Sequence, residues 1–329
     1  MLAMMFWDRI IATSRQTTLD KTEDTETRFL FANLMGLGAW AWGDRVVWQY
    51  GRGYSVDDLR QAFQTSLAEG IRLIDTAEVY GSGSSERFVG QFIKEFDEPV
   101  LVATKFFPMP WRLTKNSVPS ALKASLKRLD LERVDLYQIH FPTPLLSVER
   151  MIEGMRICVE EGWTRSVGVS NFDHYDMLRA YSELARYKIP LAANQMHYSL
   201  LNRSVEKSGL LARCAELGVR LIAYSPLEMG LLTGKYGTEN PPPGSRLIRY
   251  ATIIGKLAPV LKALTEIGQD HGGKSNAQVA LNWVICKGAL PIPGVKNADQ
   301  AMQNAGALGW RLTGAEVSRL DEVSDTALK

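Results

Sequence analysis

The spacing of apolar residues along this chain alternates between two periods, and each period predicts a different element. Eight short apolar runs rich in β-branched residues are typical of parallel strands that are covered on both faces. The predicted strands are Leu34–Gly38, Ile71–Asp75, Val100–Lys105, Val134–His140, Ser166–Ser170, Leu191–Gln195, Val219–Ser225 and Ala289–Gly294. Between them, apolar residues recur at the 3.6-residue spacing of amphipathic helices. The clearest predicted helices are Val56–Ala68, Pro119–Leu129, Val148–Glu161, Met177–Tyr187 and Val205–Leu217.

Eight strands alternating with helices predict an α/β fold, the closed (β/α)8 or TIM barrel. The interval after the seventh strand is the longest and contains a proline-rich loop, Pro241–Gly244. Two helices, Ile254–Asp270 and Ser275–Lys287, are predicted to follow that loop. The chain then continues past the eighth strand into extra C-terminal helices, predicted at Ala298–Ala307 and Thr313–Ser324.

From the second to the eighth, the predicted strands end in a residue that carries chemistry or in a glycine. In chain order these residues are Asp75, Lys105, His140, Ser170 with Asn171, Gln195, Tyr224 with Ser225, and Gly294. Because the carboxyl ends of barrel strands share one face, residues far apart in sequence are expected to converge there. Solvent exposure explains one or two polar strand ends, but not an ordered series of acids, bases and amides.

A doubly wound dinucleotide-binding sheet is the alternative fold. Gly36–Ala41 matches the glycine fingerprint, and an acid, Asp57 or Asp58, lies downstream. That fingerprint needs a helix that begins directly after the glycines and faces the pyrophosphate. Residues 42–54 instead combine glycines with bulky aromatic residues and are typical of a loop, so the barrel is favoured.

Composition narrows the classes of partner. Hydrophobic residues make up 46% and charged residues 22% of the 329 residues, as in an ordinary globular protein. A formal net charge of +2 gives no strong attraction for nucleic acid. No run reaches the roughly 20 apolar residues that cross a bilayer, so no membrane partner is expected. The three cysteines are widely spaced and predicted to be reduced thiols, and no metal site is expected.

The N-terminal segment differs from the rest of the chain. Met1–Trp7 is apolar but too short for the core of a signal peptide, and a polar stretch without clear period follows. Residues 1–27 are therefore expected to form a loosely ordered extension, and residues 28–329 a single barrel domain. The predicted location is the cytoplasm, or a plastid if the extension is a cleaved transit segment. A monomer or a weak homo-oligomer is expected.

Four residues near neighbouring strand ends combine into one candidate catalytic group. Asp75 ends the second predicted strand, Tyr80 follows five residues later, and Lys105 and His140 end the third and fourth strands. Reduction of a carbonyl needs a hydride and a proton delivered to the oxygen. An ammonium group beside a tyrosine lowers the phenol pKa, a carboxylate holds the ammonium, and a histidine donates a hydrogen bond to the developing alkoxide.

These segments resemble the aldo-keto reductases, from about Leu34 to the C-terminus. The segments that carry the resemblance are GIRLIDTAEVYGSGSSE from Gly70, LVATKF from Leu101, LDLERVDLYQIHFP from Leu129, SVGVSNF from Ser166, ANQMHYSLLNR from Ala193, AYSPLEMGLLTGKY from Ala223 and PIPGVKNADQAMQN from Pro291. The resemblance implies that Asp75, Tyr80, Lys105 and His140 form the family's acid–base tetrad. It also implies reduction of aldehydes and ketones to alcohols with NADPH as the cofactor.

The resemblance further implies how the cofactor is held. Ser170, Asn171 and Gln195 are expected to bind the nicotinamide carboxamide, and Tyr224 to stack on the ring. The residues expected along the rest of the cofactor are Trp40, Asp75, Ser225, Pro226, Leu227, Gly230, Lys235, Arg246, Gly294, Lys296, Gln300, Gln303 and Asn304. Among them, Lys296 is expected at the adenosine 2′-phosphate. No acid occupies Gly294–Asn297 to repel that phosphate, which favours NADPH over NADH.

Aromatic residues just beyond the strand ends are the candidates for the substrate pocket. They are Trp40, Trp42, Phe106, Phe107 and Phe141, with Met109 and Trp111 nearby. An apolar mouth of this kind suits small aromatic or medium-chain carbonyl compounds over free sugars.

Two other functions remain open at the level of sequence. A cofactor-binding regulatory subunit with little turnover, as potassium-channel β subunits of this family are, shares the tetrad. A metal-dependent isomerase or hydrolase could use Asp75, His140 and His197 as ligands, although the ammonium of Lys105 would repel a divalent cation.

Overall fold

The computed structural model of the chain describes residues 30, 32–96 and 98–327. Eight parallel strands form one sheet in the order β1 to β8. The strands are β1 Gly36–Gly38, β2 Leu73–Asp75, β3 Leu101–Phe106, β4 Val134–Ile139, β5 Thr164–Ser170, β6 Leu191–His197, β7 Arg220–Tyr224 and β8 Leu290–Ile292. The predicted barrel is thereby confirmed. The predicted extension, residues 1–27, lies outside the described residues, so its boundary stays a prediction.

Helices cover the outside of the strands and extend the chain beyond them. They are α1 Val56–Ala68, α2 Ser84–Glu95, α3 Ser117–Leu129, α4 Val148–Glu160, α5 His174–Arg186, α6 Ser204–Lys207, α7 Leu210–Glu216, α8 Ser245–Ile254, α9 Ala258–Asp270, α10 Asn276–Cys286, α11 Ala298–Ala305 and α12 Gly314–Ala327. Within the described residues, no helix is both long and apolar enough to cross a membrane.

The barrel closes between its first and last strands at one narrow point. Gly38 forms a parallel bridge with Gly294, and its backbone N–H donates to the carbonyl oxygen of Pro293 at 3.0 Å. A Cβ atom on Gly38 would lie 2.8 Å from the carbonyl oxygen of Ile292. The glycine pair of β1 is therefore explained by close strand packing, and not by dinucleotide binding.

Two expectations for the helices were wrong. The predicted helix Val205–Leu217 is two helices, α6 and α7, because Gly209 between them has a φ of +77°. The part of the chain between β7 and the predicted helix Ile254–Asp270 was expected to be a long loop, but it contains a 3-10 turn, Glu228–Thr233, and helix α8. Helix α8 was missed because it directly follows Pro241–Gly244, a proline- and glycine-rich segment that predicts a loop.

Side chains alternate between the two faces of each strand, so every second residue faces the barrel interior. In β4, Leu136 packs in the small apolar cluster of the interior, whereas its neighbour Tyr137 packs in the larger core beneath the helices. Ala103 and Ile222 belong to the same interior cluster. Because side chains alternate, the inward residues two positions further on are Gln138, Lys105 and Tyr224. Each of these three strands thus contributes an apolar residue deep in the barrel and a polar one at its mouth.

Candidate active site

A buried ion pair lies at the centre of the barrel mouth. The Lys105 ammonium lies 2.5 Å from Oδ1 of Asp75, and both side chains are almost fully buried. Nζ of Lys105 also donates to the carbonyl oxygen of Thr76 at 2.9 Å. Burial lowers the pKa of Lys105, and the charge of Asp75 opposes that shift. An ammonium whose acceptors are fixed in this way is held in one position.

Two amides complete the surroundings of Asp75. Nε2 of Gln195 donates to Oδ2 of Asp75 at 2.8 Å, and Nε2 of Gln138 donates to the same oxygen at 3.2 Å. Sequence reasoning assigned Gln195 to the cofactor and missed Gln138. The alternation of side chains along a strand could have identified Gln138. This residue lies two positions before His140 and is paired with Lys105 of the neighbouring strand.

Tyr80 lies next to this ion pair, in a 3-10 turn after β2. Nζ of Lys105 donates to the phenol oxygen at 3.4 Å and lies 5.0 Å from the ring centre. Since the oxygen accepts from the ammonium, the phenol hydrogen remains available for another acceptor. The pKa of Tyr80 was expected to be lowered by Lys105. In the structure, burial first and the negative charge of Asp75 second raise that pKa well above its ordinary value. The phenol is therefore a group that keeps its proton.

His140 directly follows β4 and is buried against Tyr80 and two phenylalanines. Burial first, and the charge of Lys105 second, lower its pKa to about 2, so the imidazole is neutral near pH 7. Its Nδ1 is buried without a hydrogen-bond partner. Because an unsatisfied buried N–H is rarer than an unsatisfied acceptor, the proton belongs on Nε2. This tautomer makes His140 a neutral hydrogen-bond donor.

Aromatic rings continue from these residues around the mouth. The ring of Phe141 stacks on His140 with 4.8 Å between centroids, and Phe107 meets both rings edge-on. On the other side, Trp40 lies 6.3 Å from Tyr80. Three predicted pocket residues, Trp40, Phe107 and Phe141, are thus brought together around the candidate catalytic group.

The other two predicted pocket residues do not reach the mouth. Trp42 is 0% exposed, packs edge-on against Phe92 of α2 and donates its indole N–H to the carbonyl oxygen of Val295. Phe106 is also 0% exposed, within the core. Both predictions are corrected, since an open pocket cannot be lined by side chains without accessible surface. Trp111 is 73% exposed and lies in the loop after β3.

A glutamate that was not singled out holds that loop beside Tyr80. One carboxylate oxygen of Glu78 accepts the backbone N–H of Phe107 at 2.6 Å. Arg112 pairs with both carboxylate oxygens of Glu78, at 2.5 and 2.9 Å. The segment that carries Tyr80 and the loop that carries Phe107 are therefore joined by a half-buried, bidentate ion pair.

The residues predicted for the carboxamide form a connected group on the far side of the mouth. Nδ2 of Asn171 donates to the carbonyl oxygen of His140 at 3.0 Å and to Oγ of Ser170 at 3.1 Å. The hydroxyl of Tyr224 donates to Oδ1 of Asn171 at 2.8 Å. Gln195 lies opposite Ser170 in the sheet, but its amide donates to Asp75 and Gln138. The structure thus places all four residues at one side of the mouth.

Three cations expected along the cofactor phosphates lie close to one another. They are Lys235, Arg246 and Lys296, and none forms an ion pair with an acid in the described part of the chain. Arg246 lies over Trp48 at 5.4 Å and over Tyr236 at 5.5 Å, and Lys296 lies over Trp48 at 5.0 Å. Unpaired cations held on aromatic rings are a suitable receptor for a polyanion.

Trp48 was missed by sequence reasoning, because its loop carries no periodic signal. Its indole nitrogen and Nε of Arg246 are both buried without a hydrogen-bond partner. Its ring also meets Trp40 edge-on at 5.6 Å. The loop after β1 therefore connects the aromatic mouth with the cation cluster. Two buried donors without an acceptor, next to three cations, fit the phosphate groups of a dinucleotide.

The remaining predicted cofactor residues differ in their exposure. Pro226 is buried, Ser225, Leu227 and Gly230 are half-buried, and Gly294, Gln300 and Gln303 are exposed. Gln300 accepts the backbone N–H of Lys296 at 2.9 Å, at the start of α11. Asn304 is 5% exposed with Nδ2 buried and unpartnered.

Comparison with known proteins places this geometry in a family. Residues 34–325 match the model of the Aldo/keto reductase family. The chain is 41% identical over 300 residues to the chloroplastic pyridoxal reductase of Arabidopsis thaliana, which covers 87% of this chain and 82% of that protein.

Solved structures show the same fold. The glycerol dehydrogenase of Gluconobacter oxydans is similar with a TM-score of 0.78 and 27% identity, over 89% of this chain and 92% of that one. An aldo/keto reductase of Klebsiella pneumoniae in complex with NADP and acetate is similar with a TM-score of 0.69 and 28% identity, over 88% and 90% of the two chains.

Proposed function

We propose, from the premise that this chain belongs to the aldo/keto reductase family, that it reduces aldehydes and ketones to alcohols with NADPH and with Tyr80 as the proton donor. The observation that carries the proposal is the position of the Tyr80 hydroxyl. It lies 3.4 Å from the buried ammonium of Lys105, which is itself held by Asp75 at 2.5 Å, and its own hydrogen remains free to be donated.

The four residues have separate roles in this proposal. Tyr80 donates its phenol proton to the carbonyl oxygen as that oxygen gains charge. Lys105 donates a hydrogen bond to the phenol oxygen and stabilises the charge left on it, while Asp75 holds the ammonium. His140, neutral and protonated on Nε2, donates a second hydrogen bond to the same carbonyl oxygen. The raised pKa of Tyr80 suits the direction of reduction, because the proton donor is present at neutral pH.

The residues present fit a phosphorylated dinucleotide. Lys235, Arg246 and Lys296 would hold its phosphates, with the buried donors of Arg246 and Trp48 facing them. Tyr224 and Asn171 would hold the nicotinamide end, beside His140. When bound, NADPH supplies the hydride that the carbonyl carbon receives.

The substrate class that we propose is aromatic aldehydes. Trp40, Phe107 and Phe141 offer flat apolar surface beside the Tyr80 hydroxyl, and Phe141 is 39% exposed. Stacking on such rings favours planar substrates. The Arabidopsis relative is named for pyridoxal, which is an aromatic aldehyde. Pyridoxal is therefore the first natural compound to test.

The test of the function is a substrate panel. NADPH oxidation is measured by absorbance with pyridoxal, 4-nitrobenzaldehyde, hexanal and glucose at one concentration. We expect the two aromatic aldehydes to give the highest kcat/KM, and glucose to give the lowest. Tight NADPH binding without turnover of any member of a broad carbonyl panel would contradict the proposal and favour a regulatory subunit.

Lys296 is expected to make NADPH binding dependent on pH. Burial first, and the charges of Arg246 and Lys235 second, lower its pKa to about 8 in the free protein. The other titratable group that faces it, Tyr54, stays neutral because burial raises its pKa. A bound 2′-phosphate favours the charged ammonium and raises the pKa of Lys296, so binding takes up a proton. The affinity for NADPH should therefore fall as the pH rises through about 8.

Fluorescence titrations from pH 6.5 to 9.5 measure this effect. NADH lacks the 2′-phosphate and should show a shallower decline. Lys296→Met should weaken NADPH binding about tenfold, corresponding to one charge-assisted hydrogen bond of about 1.4 kcal/mol, and should leave NADH binding nearly unchanged. Equal pH profiles for the two nucleotides in the wild-type protein would show that Lys296 does not bind the 2′-phosphate.

A further inference from the structure

A buried carboxylate lies behind Tyr224, outside the group of residues discussed so far. Glu228 is 2% exposed and opens the 3-10 turn that follows β7, with a φ of +48°. Its Oε1 accepts from Nε2 of His197 at 2.7 Å and from Oγ of Ser199 at 2.5 Å. Its Oε2 accepts from the hydroxyl of Tyr250 at 3.1 Å. Among the described residues no lysine or arginine pairs with Glu228, so these donors stabilise its charge.

The orientation of His197 is determined from both sides of its ring. Oδ1 of Asn202 accepts from Oγ of Ser204 at 2.8 Å, which directs Nδ2 of Asn202 to Nδ1 of His197 at 2.7 Å. Nδ1 of His197 is therefore an acceptor, and Nε2 carries the proton that is donated to Glu228. The ring cannot turn over without losing both hydrogen bonds.

His197 in turn supports Tyr224. The two rings are stacked, with 5.3 Å between centroids and 14° between planes. The Tyr224 hydroxyl donates to Asn171, which donates to the carbonyl oxygen of His140. Glu228 thus lies at one end of a connected series of contacts, and the candidate catalytic His140 lies at the other.

Tyr250 links the same carboxylate to a different part of the protein. It lies on α8, the helix that follows the proline-rich loop and carries Arg246 near its start. Arg246 also donates to the carbonyl oxygen of Met229, the residue after Glu228, at 3.4 Å. Helix α8 is therefore joined to the turn after β7 at two places, and one of them is the buried carboxylate.

We infer that Glu228 is a positioning residue that couples closure of α8 over the cofactor to the orientation of the nicotinamide platform, Tyr224. The inference rests on the proposed function, since Tyr224 is assigned to the nicotinamide there. With α8 in place, the Tyr250 hydroxyl completes the donor set of Glu228, and the His197–Tyr224 stack is held. If α8 moves away, the buried charge of Glu228 loses the Tyr250 donor. The cost of that loss opposes opening of α8 and slows cofactor release.

Tyr250→Phe tests the coupling with the loss of one hydroxyl. Tyr198→Phe is the matched control, because Tyr198 is a buried tyrosine whose hydroxyl donates to a different glutamate, Glu206, at 2.5 Å. The backbone N–H of Tyr198 donates to the carbonyl oxygen of Tyr224, and the substitution leaves that contact in place. NADPH release is followed by stopped-flow fluorescence on the full-length protein, and unfolding temperature is measured for each variant. We expect Tyr250→Phe to release NADPH about tenfold faster than wild type. Tyr198→Phe should stay within twofold of wild type.

Glu228→Gln tests the other half of the coupling. It should accelerate release to the same degree and also lower the rate of hydride transfer in a single turnover about tenfold, whereas Tyr250→Phe should change release more than hydride transfer. Release at the wild-type rate from Tyr250→Phe overturns the inference, as does equal acceleration by Tyr198→Phe. A wild-type protein that binds no NADPH overturns the proposed function and this inference together, so the two failures are distinguishable.

Discussion

Tyr80→Phe is expected to lower kcat/KM for aldehyde reduction by about 10²- to 10⁴-fold, the range associated with loss of a general acid. The variant loses the hydroxyl that lies 3.4 Å from Nζ of Lys105 and keeps the ring that packs near Trp40 and His140. NADPH oxidation with 4-nitrobenzaldehyde, compared with the wild type at saturating NADPH, measures the effect.

The control for this prediction is cofactor affinity. Because Tyr80 lies beside the ion pair and not in the cation cluster, the NADPH dissociation constant should stay within about twofold of wild type. A Phe107→Leu variant removes an aromatic ring from the mouth without removing a proton donor, and should change KM more than kcat. Full activity of Tyr80→Phe would mean that another group donates the proton, and His140 would become the candidate.

Lys105→Met is expected to abolish reduction and to lower the free energy of unfolding by about 3–5 kcal/mol, as for other buried ion pairs that lose one partner. The variant leaves the carboxylate of Asp75 buried with only the two glutamine amides as donors. Urea denaturation monitored by tryptophan fluorescence measures the stability, and NADPH oxidation measures the activity.

A double variant separates stability from chemistry. Asp75→Asn with Lys105→Met removes both charges, so most of the lost stability should return, because a neutral pair carries a smaller cost of burial. Activity should not return, since no ammonium then acts on Tyr80. Recovery of activity together with stability would show that Lys105 serves the fold and not the reaction.

The sequence predictions were most accurate where the structure depends on residues that are close together in the chain. Helix α1 begins and ends at the predicted residues, because Ser55 and Asp58 form a capping box that is local in sequence. The period of apolar residues likewise predicted all eight strands to within a few residues. Helix α8 was missed, because it directly follows Pro241–Gly244, whose residues predict a loop.

The predictions for the site were wrong where they depended on the direction of a side chain or on its burial. Trp42 and Phe106 follow or end strands as the true mouth residues do, yet both point into the outer core, where Trp42 meets Phe92. The pKa of Tyr80 was expected to fall because Lys105 is near. The structure shows that Asp75 is also near and that burial dominates, which raises the pKa instead.

The sequence alone therefore determined the barrel and the family resemblance, because period and motif are properties of neighbouring residues. It also predicted Asp75, Tyr80, Lys105 and His140 as the candidate catalytic group. Only the tertiary structure decided which rings face the mouth, that Gln138 joins Asp75, and that Trp48 joins the cation cluster. It also decided that Glu228 connects α8 to Tyr224. These contacts join residues that are distant in the chain, and their energies depend on burial and distance, which exist only once the barrel has closed.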